Sequence, residues 1–264
     1  MDFNEHNLAD RLSGEFIGNT VHFFKELDST NIYASRIARN GTPEGTVVIA
    51  DCQTRGKGRL NRVWQSPSRK NIYTSIILKP SIKPSVAPQL TLTAGVAAAE
   101  FLSLYCPGAV TLKWPNDIQV RKNKICGILT EMRTTGGTID FVVIGIGINI
   151  NMRKEEFDEE FREASTSLRE ETGRDISRVD FAVGLYQSFE KWYEIYKSEG
   201  FASIKDRWLE YSEILDKKIQ INHRGNIQKG KVLGIDECGA LLLFDEEGKT
   251  KPVLAGDVSL IGDK

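Results

Sequence analysis

"AVTLKWPNDIQVRKNKICGILTEMRTTGGTIDFVVIGIGINI", residues 109–150, is a series of short β-branched runs separated by turn signals at Pro115-Asn116, at 121–124 and at 135–137. This punctuation predicts an antiparallel meander. Upstream, "TVHFFKEL" (20–27), "TVVIADCQ" (46–53) and "NIYTSIILKP" (71–80) read as further strands. "DSTNIYASRIARNG" (28–41) opens on capping residues and closes on Asn-Gly, which predicts a helix. After Pro84 and Pro88, the Ala and Leu content of 89–105 predicts another. Residues 153–175 are charged and irregular. Leu185, Phe189, Trp192 and Tyr196 stand at 4-3-4 spacing and form the buried stripe of a long helix over 179–200, which 201–212 continues. From residue 215 short apolar strands alternate with Arg-Gly-Asn, Glu-Cys-Gly, Glu-Gly-Lys and Ala-Gly-Asp turns, a pattern suited to a small barrel. Strands and helices do not alternate strictly. The expected fold is therefore α+β: a mixed or antiparallel sheet flanked by helices (residues 1–213), followed by an all-β domain (214–264).

The chain has 264 residues, a formal charge of −1 and 40% hydrophobic residues. Near-neutrality argues against a dedicated nucleic-acid binder. Cys52, Cys106, Cys126 and Cys238 stand far apart, which suits free thiols in a reducing compartment. His6, His22 and His223 form no zinc-spaced cluster. The opening "MDFNEHNLAD" is not a signal peptide, and no stretch is long and apolar enough to span a bilayer. A cytoplasmic, soluble protein is expected.

The positive charge is concentrated locally. "RGKGRLNRVW" (55–64) sets Arg55, Lys57, Arg59 and Arg62 among Gly56 and Gly58. Glycines let backbone N–H groups approach an anion, and arginine can fork onto two oxygens. On charge alone, a solvated basic loop is the better reading of this stretch, and it is no Walker motif. Asn116 and Asp117 in "KWPNDI" (113–118) suit a turn, and Trp114 suits a core. Lys124 precedes an apolar strand, where such a residue is more often solvated. "GIGINI" (145–150) is a strand broken by glycine, which weakens it unless something approaches its backbone. Asn149 and Asn151 are polar in an apolar context and need partners.

The order of these signals is more specific than any one of them. "DSTN", "QTRGKGRLNRVWQSP", "KWPNDI", "KICGIL" and "GIGININ", followed by a β-rich tail, together resemble the biotin–protein ligases from about residue 20 to the C-terminus. The resemblance implies a class II synthetase-like catalytic domain with an SH3-like C-terminal barrel. It implies ATP and biotin as substrates with Mg²⁺, a biotinyl-5′-AMP intermediate, and transfer to a lysine of a biotin carboxyl carrier domain. By the same resemblance Arg59, Lys124 and Asp117 are catalytic. Ser29, Thr30, Asn31, Gln53, Gly56, Lys57, Gly58, Arg59 and Lys124 hold biotin. Lys57, Arg59, Arg62, Trp64, Asn116, Lys124 and Asn149 hold ATP and the adenylate. Biotin's ureido ring suits hydroxyl and amide partners. A homodimer is implied. Longer family members carry a DNA-binding domain ahead of the ligase; the 20 residues before the first strand here are too few for one, so no DNA binding is expected. Two residues depart from the family pattern. Lys57 keeps charge but not the fork. Asn61 stands where many members have Gly, and Asn tolerates left-handed backbone. Three other readings compete: a lipoate or octanoate ligase, a nucleic-acid-binding regulator, and an inactive scaffold with an interaction module.

Overall fold

The structure, a computed structural model, describes residues 3–12, 15–223 and 225–261. Its main sheet contains β1 (Val21–Phe24), β2 (Val47–Ala50), β3 (Ile72–Leu78), β4 (Val110–Lys113), β5 (Asp117–Val120), β6 (Asn123–Thr135) and β7 (Thr138–Ile148), in the order β1-β2-β3-β7-β6-β5-β4. Only β1 and β2 run parallel. The meander read from 109–150 is the β4-to-β7 half of this sheet.

Period-2 alternation sends the two halves of each strand's residues to different layers. Val142, Ile144, Ile146 and Ile148 of β7 join Ile72, Ile76 and Leu78 of β3 in the large core. That core is closed by α3 (Pro88–Ser103), α6 (Arg178–Glu199) and α7 (Phe201–Tyr211). The predicted stripe of Leu185, Phe189, Trp192 and Tyr196 is buried there. On the opposite face α2 (Thr30–Ala38) lays Ala34 and Ala38 on Val48, Ile77, Phe141 and Val143. Pairing then aligns Ser75, Gly145 and Leu129 in one row and Tyr73, Gly147 and Gly127 in the next. Three glycines side by side leave a trough in the sheet beside α2.

Several details differ from the sequence reading. A helix, α1 (Glu5–Arg11), precedes β1, capped by the Asn4 side chain accepting from Asn7 N. The charged 153–175 stretch contains α4 (Glu159–Arg162) and α5 (Leu168–Thr172), the latter started by the Ser167 side chain and stopped by left-handed Gly173. The long helix does not run on past 200: Gly200 at φ 83° ends α6, and α7 starts afresh. The C-terminal strands β8 (Lys218–His223), β9 (Asn226–Ile235), β10 (Leu241–Phe244), β11 (Thr250–Val253) and β12 (Asp257–Leu260) form a separate five-stranded antiparallel sheet, ordered β11-β10-β9-β8-β12. The expected Arg-Gly-Asn turn includes Arg224, which lies outside the described residues. Among the described residues no helix is long and apolar enough to cross a membrane.

Helix packing gives a first prediction. A Cβ on Gly184 of α6 would fall 2.3 Å from the Phe101 ring of α3. Gly184→Ala is expected to destabilise the fold by about 1–3 kcal/mol through overpacking. Urea denaturation would register this as a lower midpoint with an unchanged slope.

Candidate active site

A cavity of about 290 Å³ lies over the glycine trough. Its walls include Ser29, Thr30, Asn31, Gln53, Lys57, Gly58, Arg59, Arg62, Trp64, Asn116, Asp117, Lys124 and Asn149. Every site residue that the family resemblance implied therefore lines this one space, except Gly56. That glycine is buried beneath the loop, where an added Cβ would lie 2.4 Å from the Trp64 carbonyl oxygen.

The floor is polar, and the first turn of α2 builds much of it. Ser29 occupies the N-cap in extended geometry, but its side chain makes no capping bond. The Thr30 backbone N–H donates to Gln53 Oε1 at 2.9 Å, and Gln53 Nε2 donates to Ser66 Oγ at 3.0 Å. Asn31, only 3% exposed, donates from Nδ2 to the Leu129 carbonyl at 3.1 Å. Its Oδ1 lies 2.1 Å from where a Cβ on Gly145 would stand. Gly145 is thus the position that admits Asn31.

The roof is the basic loop, a small hairpin. Lys57 and Val63 bridge, Gly58 N–H donates to the Arg62 carbonyl at 2.7 Å, and Trp64 N–H donates to the Gly56 carbonyl at 3.0 Å. Leu60 and Asn61 at its tip have φ of 54° and 61°. Asn61 adopts the left-handed backbone its identity suggested. Left-handed Leu60 carries a cost of about 1–2 kcal/mol that nothing in the sequence announced. The Trp64 indole lies on the trough, with ring atoms 2.6 Å from a virtual Cβ on Gly147 and 2.9 Å from one on Gly127. The backbone of "GIGINI" is therefore closely approached, by Trp64 and Asn31. Trp64 Nε1 is buried and finds no hydrogen-bond partner among the described residues.

Charge gathers at one end. Among the lining residues Lys57, Arg59, Arg62 and Lys124 face only two carboxylates, Asp117 and Asp257. Arg59 Nη1 donates to Asn116 Oδ1 at 2.9 Å. Burial draws the Arg59 pKa down, while Asp257 and Asp117 pull it back up; from so high a starting value the guanidinium stays charged. Lys124 Nζ sits 2.7 Å from Asp117 Oδ1 and over the Trp64 ring at 5.3 Å. Arg62 pairs with Asp257 of β12, which ties the loop to the C-terminal sheet. Side-chain hydrogen bonds from Trp114 and Asn116 tie down the turn between β4 and β5. The Trp114–Pro115 peptide is cis, Trp114 is 2% exposed with Nε1 donating to the Gly239 carbonyl, and Asn116 Nδ2 donates to the Ile128 carbonyl at 2.7 Å. Asn149 is buried and donates to the Thr166 carbonyl, so part of its amide serves the framework. Arg55 points elsewhere, exposed and paired with Asp28.

The sequence reading missed several walls. Phe157 and Phe161, from the supposedly irregular segment, line the cavity, and Gln65 binds that segment through the Glu156 carbonyl and Asp158. Asp257 lies 195 residues from Arg62 along the chain. Only the glycines of "GIGINI" carried a readable signal.

The chain is also similar to known proteins over most of its length. Residues 23–149 match the model of the Biotin/lipoate A/B protein ligase family, and 214–261 match that of the Biotin protein ligase C terminal domain. The chain is 37% identical over 257 residues to the Bifunctional ligase/repressor BirA of Bacillus subtilis (strain 168), covering 97% of this chain and 79% of the relative. It is 32% identical to the Biotin--[acetyl-CoA-carboxylase] ligase of Paracoccus denitrificans, covering 84% of this chain and 93% of that one. Among solved structures, the Biotin protein ligase from Aquifex aeolicus in complex with biotin and ATP is similar at TM-score 0.77 and 31% identity, over 92% of this chain and 98% of that one.

Proposed function

Because the chain belongs to the biotin–protein ligases of the biotin/lipoate A/B protein ligase family, we propose that its cavity makes biotinyl-5′-AMP from biotin and ATP and passes biotin to a lysine of a biotin carboxyl carrier domain. The chain is an ATP-dependent biotin–protein ligase. The observation that carries the site assignment is the joining of a polar floor to a cationic end within one cavity.

In the first step a biotin carboxylate oxygen attacks the α-phosphorus of ATP, the P–O bond to the β-phosphate breaks, and pyrophosphate leaves. Two anions must approach each other. Arg59 and Lys57 from the roof and Lys124 from β6 are proposed to screen that approach. Ser29, Thr30, Asn31 and Gln53 take the ureido ring, Gly58 gives backbone access, and Gly56 acts from beneath by shaping the loop. Arg62 and Trp64 face the nucleotide, with Asn116 bracing Arg59 and Asn149 closing the adenylate side. The unpartnered Trp64 Nε1 supports a ligand acceptor beside it. In the second step the lysine amine attacks the acyl carbon of the mixed anhydride and AMP departs. Asp117, already against Lys124, would orient that amine or accept its proton.

Mg²⁺ is proposed as the companion of the phosphates. Among the described residues no three His, Cys, Asp or Glu side chains converge to hold a metal ion, so its ligands would be chiefly phosphate oxygens and water. A two-domain division at 213/214, a homodimer, a cytoplasmic location and the absence of DNA binding belong to the same proposal. Four unpaired cysteines support a reducing compartment, and the charge of −1 speaks against a DNA role.

Ligand that orders the roof would keep water from the anhydride. Limited proteolysis is expected to cut the unliganded chain within 55–62 and to spare it with biotin and ATP. Equal cleavage in both states would exclude a closing loop. The activity itself is tested by incorporating labelled biotin into a carrier domain. Label should appear on the wild-type carrier and be lost when the acceptor lysine is replaced by arginine. No transfer to a folded carrier would overturn the proposal.

A further inference from the structure

We propose that Glu131 is a positioning residue: it fixes the Asn31 amide so that the cavity floor presents hydrogen-bond acceptors to the ureido N–H groups of biotin. The inference rests on the biotin reading of the cavity and names a residue outside its walls. Glu131 stands on β6 two residues beyond Leu129, on the trough face of the sheet, half-buried. Its Oε2 accepts from Asn31 Nδ2 at 2.9 Å, and the Leu129 carbonyl accepts from the same nitrogen at 3.1 Å.

A carboxylate and a backbone carbonyl can only accept. Together they occupy both hydrogens of the Asn31 amide nitrogen, so Oδ1 must be the atom turned toward the space above Gly145. Ser75 Oγ lies 2.6 Å from that oxygen and 2.8 Å from Thr30 Oγ1. A serine hydroxyl has one hydrogen. Directed to Asn31 Oδ1, it does not reach Thr30; the one hydrogen of the Thr30 hydroxyl then goes to Gln53 Oε1 at 3.2 Å or to Ser75 Oγ, and in either case the Thr30 lone pairs are left to accept. The polarity set at Glu131 thus passes through Asn31 to Ser75 and leaves the Thr30 lone pairs unclaimed. A ligand meeting this row must bring N–H donors, and a cyclic urea brings two. With Glu131 removed, the Leu129 carbonyl and the Ser75 hydroxyl hold the amide; a hydroxyl accepts as well as donates, so Asn31 is free to turn and present Nδ2 to those donors.

The test is biotin affinity by calorimetry on the full chain, with melting curves as a fold control. Glu131→Ala is expected to weaken biotin about tenfold, the cost of one mispaired polar contact. Glu131→Gln keeps an accepting oxygen and should stay within about threefold of wild type, by the same argument. In a background of Asn31→Ala, adding Glu131→Ala should change nothing further, because the residue it positions is gone. Glu131→Met, similar in length but without oxygens, should match alanine and replaces it if the alanine variant melts early. In exchange kinetics the loss should appear in KM for biotin and not in kcat. A full Glu131→Ala penalty persisting without Asn31 would assign Glu131 a merely structural role and overturn the inference. So would wild-type affinity in both Glu131→Ala and Glu131→Met. Failure of the wild-type chain to bind biotin at all would defeat the biotin reading itself, and is seen before any variant is made.

Discussion

Arg59→Ala is expected to lower biotin-dependent pyrophosphate exchange by up to about a thousandfold while the protein stays folded. Arg59 extends from the roof loop and is braced by Asn116 at 2.9 Å. In the proposed reaction it screens the approach of the two anions. A unit charge pair at 4 Å is worth about 4 kcal/mol at an effective dielectric of 20, and each 1.36 kcal/mol is tenfold in rate. Three decades is therefore the upper bound, with Lys57 and Lys124 compensating in part. Arg59→Lys restores the charge without the fork and should recover about half of the loss on a logarithmic scale. The stability cost should be small, because the side chain makes one hydrogen bond to Asn116 at the cavity wall and belongs to no core cluster. Steady-state exchange rates measured beside melting curves check both parts. A large drop in melting temperature would mean the loop holds the fold together, and the activity loss would then say nothing about charge.

Gly145→Ala is the second large effect, and it acts at the other end of the cavity. The added Cβ would lie 2.1 Å from Asn31 Oδ1 and 2.8 Å from its Cγ. Gly145 lies within β7, so its backbone accepts alanine. The conflict is with one buried side chain, which must leave its three hydrogen-bond partners, Leu129, Glu131 and Ser75. Displacing a side chain proposed to pair with biotin would leave buried polar groups unmatched, a loss of about 1–3 kcal/mol for each. Biotin KM is expected to rise about a hundredfold or more on that basis, with a much smaller effect on the KM for ATP. An equal rise for both substrates would place the trough elsewhere in the reaction.

Both predictions depend on features unequally visible in the sequence. The meander at 109–150 was legible because β-branched runs and turn residues alternate there with little ambiguity. So was the buried stripe of α6, whose spacing matches one helical face. The break at Gly200 was not, since a glycine between two apolar-periodic segments reads equally as a tolerated interruption. α4 and α5 were missed because they are short and charged, and local capping at Ser167, not periodicity, defines α5. In the cavity, the glycines of β7 gave the most direct clue: a strand weakened at alternate positions implies something lying against its backbone. What approaches, Trp64 and Asn31, could be named only once strand register was known. Asp257 and Glu131 left no trace. Each acts through a contact made by tertiary folding, and an acidic residue in a strand is ordinarily read as solvated.

The four cations also look different in three dimensions. In the sequence they resembled a solvated loop. Folding leaves Arg55 outside, pairs Arg62 with the C-terminal sheet and turns Arg59 inward. Lys124 joins them from a strand 65 residues farther along than Arg59. The C-terminal segment thereby touches the cavity through Arg62 and Asp257, and holds Trp114 of the β4–β5 turn through Gly239.

The decisive measurement is biotin-dependent exchange of labelled pyrophosphate into ATP, which requires only the first chemical step and no carrier. Exchange is expected to need biotin and Mg²⁺ and to collapse in Arg59→Ala and Lys124→Ala. Exchange driven by lipoate or octanoate in place of biotin, or none with any of these acids in folded protein, would contradict the proposed function.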